Sequence, residues 1–316
     1  MLQRLPTSAR RALGPPLVAS GLSDPVEVSD ALDLSDAHLI RLFARGRGRL
    51  VYLVNVSATN REPFMSETIL KQLVEMSRYL GDPDRGYVIL GEGNTSARID
   101  ADTFYVKASG STIEGIDAAG FVAVSMSRVL GILDDASADD AAVTKVLKEA
   151  LIDKGETRRP SVETMFHAVL LSFPECSFIG HTHPTFTNML LCSVRAEEAV
   201  TGRICPDHIV VMGHKSVYVP YVDPGLVLAR EIRRRVKEYV EEERVFPRAI
   251  MMQGHGLIAV GDSPKAVKSI TDMAEKISKV MVGTYALGGP RFMAQRDIDR
   301  IYTRPDEKYR EKTITK

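Results

Sequence analysis

Phe178-Ile179-Gly180-His181-Thr182-His183-Pro184 is the stretch on which the reading of this chain turns. An apolar run ends in two histidines spaced i and i+2. On a strand, that spacing points both imidazoles to one face. Neutral imidazole is the commonest metal-ligating side chain. A pair is not yet a site, because His-x-His also arises by chance and a catalytic zinc takes three protein ligands and keeps one position open. The chain must therefore supply a third ligand, and a base to work beside the metal.

His255 is the candidate third ligand, in Met251-Met252-Gln253-Gly254-His255-Gly256-Leu257-Ile258. Apolar runs flank it and two glycines bracket it, as a tight turn or a close backbone approach requires. Glu163 is the candidate base, in Pro160-Ser161-Val162-Glu163-Thr164-Met165-Phe166-His167. Pro160 or Ser161 suits a helix start, which puts Glu163 in the first turn, where the helix dipole favours a carboxylate. That preference alone also explains a glutamate there. His167 lies four residues on, on the same helix face. It either orients the carboxylate or packs, and packing is the expectation. Of the other histidines, His38 lies in a charged amphipathic stretch, and His208 and His214 flank the run Ile209-Val210-Val211-Met212 as possible strand ends.

Taken in order, these segments resemble the class II aldolase/adducin family, the zinc-dependent group that includes fuculose-phosphate and rhamnulose-phosphate aldolases. Gly93-Asn94-Thr95-Ser96-Ala97-Arg98 is similar to its Gly-Asn-x-Ser-x-Arg segment, and Lys107-Ala108-Ser109-Gly110 to its small-residue turn. Pro160-Ser161-Val162-Glu163 with His167 resembles its Pro-Ser-x-Glu-x-x-x-His helix start. His181-Thr182-His183-Pro184 and Gly254-His255-Gly256 resemble its metal blocks. No single block is specific; the ordered set is. The similarity runs from about residue 65 to 287.

The resemblance implies a role for each matched position. His181, His183 and His255 become ligands of one zinc, or another divalent metal, per subunit. Glu163 becomes a fourth ligand at rest and a base in turnover. Asn94, Ser109, Gly110 and Ser161 match positions that bind a substrate phosphate. Glycine-rich turns and a helix N-terminus suit an anion on physical grounds too, although Gly91-Glu92-Gly93-Asn94 also reads as a plain turn between strands. The implied enzyme is a homotetramer with sites at subunit contacts, acting on a small sugar or sugar phosphate.

Two departures bear on the substrate. Val162 stands where such aldolases often carry a second hydroxyl. The tyrosine that the fuculose-phosphate enzyme uses soon after its His-x-His block is missing from Pro206-Asp207-His208-Ile209-Val210. The nearest are Tyr218 and Tyr221, and His208 is an alternative, so the proton donor is unassigned.

Cleaving a carbon–carbon bond beside a carbonyl leaves an enediolate, which a divalent cation in a dry site stabilises while a carboxylate shuttles the proton. Aldol cleavage, decarboxylation, dehydration and epimerisation all use such a site. The pentulose-phosphate 4-epimerases of the family carry Asp where Glu163 stands, so Glu163 favours the lyase chemistries. Aldolase is the leading expectation, with decarboxylase or dehydratase as alternatives. The non-enzyme alternative is an adducin-like binding module, which is expected to lose the metal ligands that this chain keeps.

Composition agrees with a soluble, cytoplasmic enzyme. Lys+Arg and Asp+Glu both number 41, leaving no net charge to draw nucleic acid or membrane. No apolar run reaches the length of a membrane span, and no signal-like segment appears. Cys176, Cys192 and Cys205 lack metal-type spacing and read as buried thiols.

The expected class is α/β, three-layered α/β/α around a mixed, mainly antiparallel sheet. Residues 1–62 read as a partly mobile N-terminal extension, 63–287 as the catalytic domain and 288–316 as a polar tail. Within these, Leu32–Phe43 reads as a helix and 50–54 as a strand, and Pro63 opens a helix that Gly81 ends. Strands are expected at Tyr87–Leu90, Thr103–Lys107, Phe121–Val124, Ser177–His181, Ile209–Met212 and Ser216–Val219, with one more reaching His255. Helices are expected around Val143–Leu151, from Ser161, from His183 to Leu191, over Gly225–Glu243, after Ser263-Pro264 and near Asp297–Tyr302. The runs Arg233–Arg235 and Glu241–Glu243 read as a solvated face.

Overall fold

Apolar residues follow one another through most of the short strands, and because successive side chains turn to opposite faces, both faces are buried. The computed structural model describes residues 40–43, 51–54 and 62–315. They fall into two units, Met1–Phe64 and Met65–Lys316. In the first, β1 (Ile40–Phe43) pairs antiparallel with β2 (Val51–Val54). The end of the helix expected over Leu32–Phe43 is thus a strand, and its remainder, like the rest of the N-terminal extension, lies outside the described residues.

The second unit carries a seven-stranded sheet. Its strands are β3 (Asn94–Arg98), β4 (Thr103–Lys107), β5 (Phe121–Ser125), β6 (Phe178–Thr182), β7 (Val217–Val219), β8 (Ala249–Met252) and β9 (Gly256–Gly261). Their spatial order is β5-β4-β3-β6-β9-β8-β7. Every pairing is antiparallel except β7 with β8. This is the three-layer α/β architecture with a mixed, mainly antiparallel sheet.

One face of the sheet presents Phe104, Val106, Ile179, Ile250, Ile258 and Val260 to a core closed by α3 (Asp140–Ala150), α4 (Thr164–Leu171) and α8 (Leu226–Glu243). Their neighbours Ala97, Phe178, Met251, Leu257 and Ala259 face a second core under α1 (Glu62–Leu80) and α9 (Pro264–Tyr285). Gly180 in β6 marks how closely that second layer lies: a Cβ there would stand 2.8 Å from both Leu80 and Val267 side chains. Asp139 caps α3 and Ser263 caps α9 through their side-chain oxygens, with Pro264 in the first turn of α9.

The structure departs from the sequence expectations in several places. Ile209–Met212 is helical, within α7 (Pro206–Met212). A four-residue apolar run suits either state; Pro206 at the helix start and Gly213 at φ +79° beyond its end decide it. Tyr87–Leu90 is not a strand: Leu90 sits at φ +51°, and the chain turns there into β3, which the expectation did not mark. The strand expected to reach His255 is β8, which ends at Met252; β9, beyond the histidine, is not among the expected strands. The helix expected from Ser161 begins at Thr164, with Glu163 at its N-cap rather than in its first turn.

Short helices α2 (Met126–Gly131), α5 (Thr185–Leu191) and α6 (Ala196–Thr201) complete the layers. The tail beyond residue 288 forms α10 (Gln295–Thr303) and α11 (Pro305–Thr315). The basic run on α8 spends its charge locally, Arg234 and Arg235 on Glu231 and Arg233 on Asp134. Cys176 is buried and Cys205 partly so, but Cys192 is exposed, against expectation. Among the described residues no helix is long and apolar enough to cross a membrane.

Candidate active site and metal centre

β6 is the axis of the site. Ile179 and His181 share the face that α4 covers, so His181 is fully buried and meets the Phe166 ring edge-on. The strand ends at Thr182 and His183 follows, tied down by its N–H to Tyr87 O at 2.8 Å. On one side β3 places Asn94 opposite His181. On the other, β9 pairs Thr182 with Leu257, which brings the β8–β9 turn and its His255 beside the strand end. Gly254 at φ +62° closes that turn.

Glu163 arrives from the other layer. The segment before α4 runs along the end of β4, where Ser109 N–H donates to Arg159 O (2.7 Å) and Ser161 N–H to Lys107 O (3.3 Å). This seats Ser161 beside the Ser109-Gly110 turn and turns Glu163 inward. Its Oε2 lies 3.4 Å from His181 Nε2 and its Oε1 3.1 Å from His255 Nε2. His181 Nε2 and His183 Nε2 are 3.2 Å apart. Ligand atoms of His181, His183 and His255 all lie within 4.8 Å of one another.

The donor set fits a divalent cation. His181 Nδ1 lies 3.0 Å from Leu257 O, an oxygen that can only accept. The proton therefore sits on Nδ1 and the Nε2 lone pair faces the cluster. Burial pushes His181 down to about 4, despite the opposing pull of Glu163, so the imidazole is neutral at pH 7 as a ligand must be. His183 is lowered too, by burial and then by His255. Around a tetrahedral zinc with bonds of about 2.0–2.1 Å, ligand atoms stand about 3.4 Å apart, close to the shorter separations here. A cation among these imidazole nitrogens and the carboxylate would meet donor atoms from all four side chains.

Burial pushes the Glu163 carboxyl up, but His181, His255 and the Asn94 amide outweigh it and hold it well below the usual carboxylate range. Asn94 Nδ2 donates to Glu163 Oε2 at 2.6 Å. That turns Asn94 Oδ1 to His167 Nε2, which must carry the proton, and His167 Nδ1 accepts from Ser96 Oγ–H at 2.6 Å. His167 therefore does more than pack: the chain Ser96–His167–Asn94 fixes the orientation of Glu163. Burial pushes His167 down to about 3, which keeps the relay neutral.

A cavity of about 250 Å³ opens in front of the cluster. It is lined by Asn94, Ser109, Gly110, Ser161, Glu163, His183 and His255, so seven of the eight sequence candidates share one wall system, with His181 buried behind. Gly110 at φ +85° shapes the turn that offers its backbone there. Two lining residues were not picked out from the sequence. Lys107 is the only cationic side chain among them; it ends β4 and donates to Ser111 O at 2.5 Å. Its place one residue before the small-residue turn was the available signal. Glu92, between two glycines, carries only a turn signal in the sequence. Val162 lines the cavity with its side chain largely exposed. His208 is buried in α7, and neither it nor Tyr218 nor Tyr221 lines the cavity.

The profile of the Class II Aldolase and Adducin N-terminal domain matches residues 71–282. The "Uncharacterized oxidoreductase YuxG" of Bacillus subtilis is 26% identical over 236 residues, 71% of this chain but 32% of that protein, so the chain spans about a third of it. The "3-oxo-tetronate 4-phosphate decarboxylase" of Haemophilus influenzae is 24% identical over 200 residues, 62% of this chain and 80% of that one. Among solved structures, the N-terminal class II aldolase domain of a Thermoplasma acidophilum protein superposes with a TM-score of 0.54 at 26% identity, covering 67% of this chain and 93% of that one.

Proposed function

This chain belongs to the class II aldolase and adducin family, and we propose that it is a zinc-dependent lyase of the aldolase type, cleaving a carbon–carbon bond beside the carbonyl of a small phosphorylated ketose. The observation that carries this reading is the convergence of His181, His183, His255 and Glu163 in front of a cavity lined by Asn94, Ser109, Gly110 and Ser161. Retention of all four cluster residues also speaks against an adducin-like module without catalysis.

His181, His183 and His255 would hold the cation, with Glu163 completing the set at rest. The bound cation would supply Lewis-acid stabilisation of the negative charge that an enediolate develops. Glu163 takes the proton from the hydroxyl on the carbon that leaves as aldehyde, and the electron pair of the breaking bond stays with the carbonyl fragment. Held by Asn94 and through it by His167, the carboxyl group then returns a proton to that fragment's carbon. The turn at Ser109-Gly110, with Ser161 and Lys107, receives the phosphate: the Gly110 N–H and the Ser109 and Ser161 hydroxyls supply donors, since the Ser109 and Ser161 N–H groups are already bonded to backbone carbonyls, and Lys107 supplies the one full positive charge. A homotetramer, as the family resemblance implies, is part of the same proposal.

A second reading is favoured by the Haemophilus influenzae relative: decarboxylation of a phosphorylated 3-oxo acid. The same site serves, with carbon dioxide as the leaving fragment, the electron pair of the broken bond staying on the enolate, and a proton from water passing to carbon by way of Glu163. Incubation with a panel of phosphorylated keto-sugars and 3-oxo acids, read by product mass, separates the two. Glu163→Gln is expected to keep its metal and lose turnover; unchanged turnover would remove Glu163 from the role of base.

A further inference from the structure

His181 and His183 reach the cluster through the same ring atom but differ in what holds the other. His181 Nδ1 has a backbone carbonyl, Leu257 O. His183 Nδ1 has a side chain, the carboxylate of Glu92, with Oε1 at 3.5 Å. A ligating histidine usually gives its second N–H to a carbonyl or carboxylate, which fixes tautomer and ring angle and raises ligand basicity. We propose that Glu92 is a positioning residue for His183, fixing the proton on Nδ1 so that the Nε2 lone pair faces the cation. This inference rests on the reading of His181, His183 and His255 as a cation site.

The backbone is built to keep the two together. Glu92 closes its own turn twice: its N–H donates to Ile89 O and its Oε2 accepts from Ile89 N–H, both at 3.0 Å. That leaves Oε1 for His183. The turn is in turn tied to the histidine strand end, because His183 N–H donates to Tyr87 O (2.8 Å) and Thr185 N–H to Gly86 O (3.2 Å). Tyr87 is itself anchored to α9 through its hydroxyl on Asp272, at 2.7 Å. On the far side Gly93 admits no side chain, since a Cβ would stand 2.5 Å from His181 O. The Nδ1–Oε1 distance exceeds that of a formed hydrogen bond, about 2.7–3.2 Å for N–H···O. Both side chains are partly exposed, 19% for His183 and 36% for Glu92, so a small rotation closes it.

The rival account is that Glu92 only closes the turn. Glu92→Gln separates the two. Glutamine has one oxygen, and the Ile89 N–H claims it. The amide NH₂ then faces His183 Nδ1, which must accept, so the proton moves to Nε2, the atom the cation needs.

The experiment titrates Zn²⁺ into chelator-stripped full-length protein against a competing chelator, for the wild type, Glu92→Gln and Glu92→Asp. In parallel, ¹⁵N NMR of the metal-free proteins reads the His183 tautomer. The proposal expects Nδ1–H in the wild type and Nε2–H in Glu92→Gln. It expects about 10–100-fold weaker Zn²⁺ binding in Glu92→Gln, partial recovery in Glu92→Asp, and an unchanged thermal midpoint for the metal-free variant. Wild-type affinity in Glu92→Gln, or a His183 proton still on Nδ1, would overturn it. A wild type that binds no Zn²⁺ would fail the cation-site reading itself, and the tautomers would still decide what Glu92 does.

Discussion

Replacing Gly256 by alanine drives a methyl group into two close contacts at the candidate site. Its Cβ would stand 2.6 Å from Thr182 O and 2.7 Å from His183 Cδ2. Ordinary contact begins at 3.4 Å, so the strand end must yield by about 0.8 Å and the imidazole by about 0.7 Å. Overpacking of this kind costs about 1–3 kcal/mol, or roughly 2–4 °C of melting temperature per kcal/mol in a domain of this size. Metal sites tolerate about 0.2 Å in ligand distance. A displacement of about 0.7 Å should therefore weaken divalent-metal binding at least tenfold. Gly261→Ala is the control. It lies at the other end of β9, where a Cβ would stand 2.7 Å from Ala266 Cβ, and should cost similar stability without touching the histidines. Melting curves and chelator-competition titrations on both variants give the answer. A folded Gly256→Ala protein that binds metal as tightly as Gly261→Ala would refute the placement of His183 against β9.

Two further outcomes follow from buried groups. In metal-free protein the His167 and His181 imidazoles lie at about 3 and about 4, below the ordinary value of about 6.5. The unfolded chain then binds more protons between those values, so stability is full above pH of about 6.5 and is lost as pH falls below it. The urea midpoint should be lower at pH 5.5 than at 7.5, with a shallower fall in His167→Gln; an unchanged or higher midpoint at pH 5.5 contradicts this. Arg203 is fully buried and donates only to neutral acceptors, the carbonyls of residues 200–202 and 213 and Ser216 Oγ. Lysine cannot reproduce that fork, so Arg203→Lys should cost about 2–4 kcal/mol in denaturant titrations, with metal affinity of the folded protein unchanged.

The cluster was legible in the sequence because its residue types are rare in combination and each sits in a short local block. What joins those blocks was not. Asn94 reads as a phosphate contact, yet its amide also spans Glu163 and His167, a link between residues 69 and 73 positions away that the packing of α4 on β3 makes. Pro160 and Ser161 look like a helix start, which puts Glu163 in the first turn rather than at the N-cap it occupies. In the fold they extend the β4 edge instead, with Ala108 bridging to Pro160. Ile209–Met212 shows the limit of short apolar runs: four β-branched or flexible side chains suit a strand or a buried helix alike. The two-faced burial of the sheet, by contrast, follows from unbroken apolar runs such as Ala249–Met252.

The central claim is that His181, His183, His255 and Glu163 form one divalent-cation site. The most direct test is a titration of Zn²⁺ into chelator-stripped protein, read by calorimetry, for the wild type and for His181→Ala with His255→Ala. The account predicts one ion per wild-type chain and none in the double variant while its fold persists. No stoichiometric uptake by the wild type, or uptake that survives loss of both histidines, would contradict it.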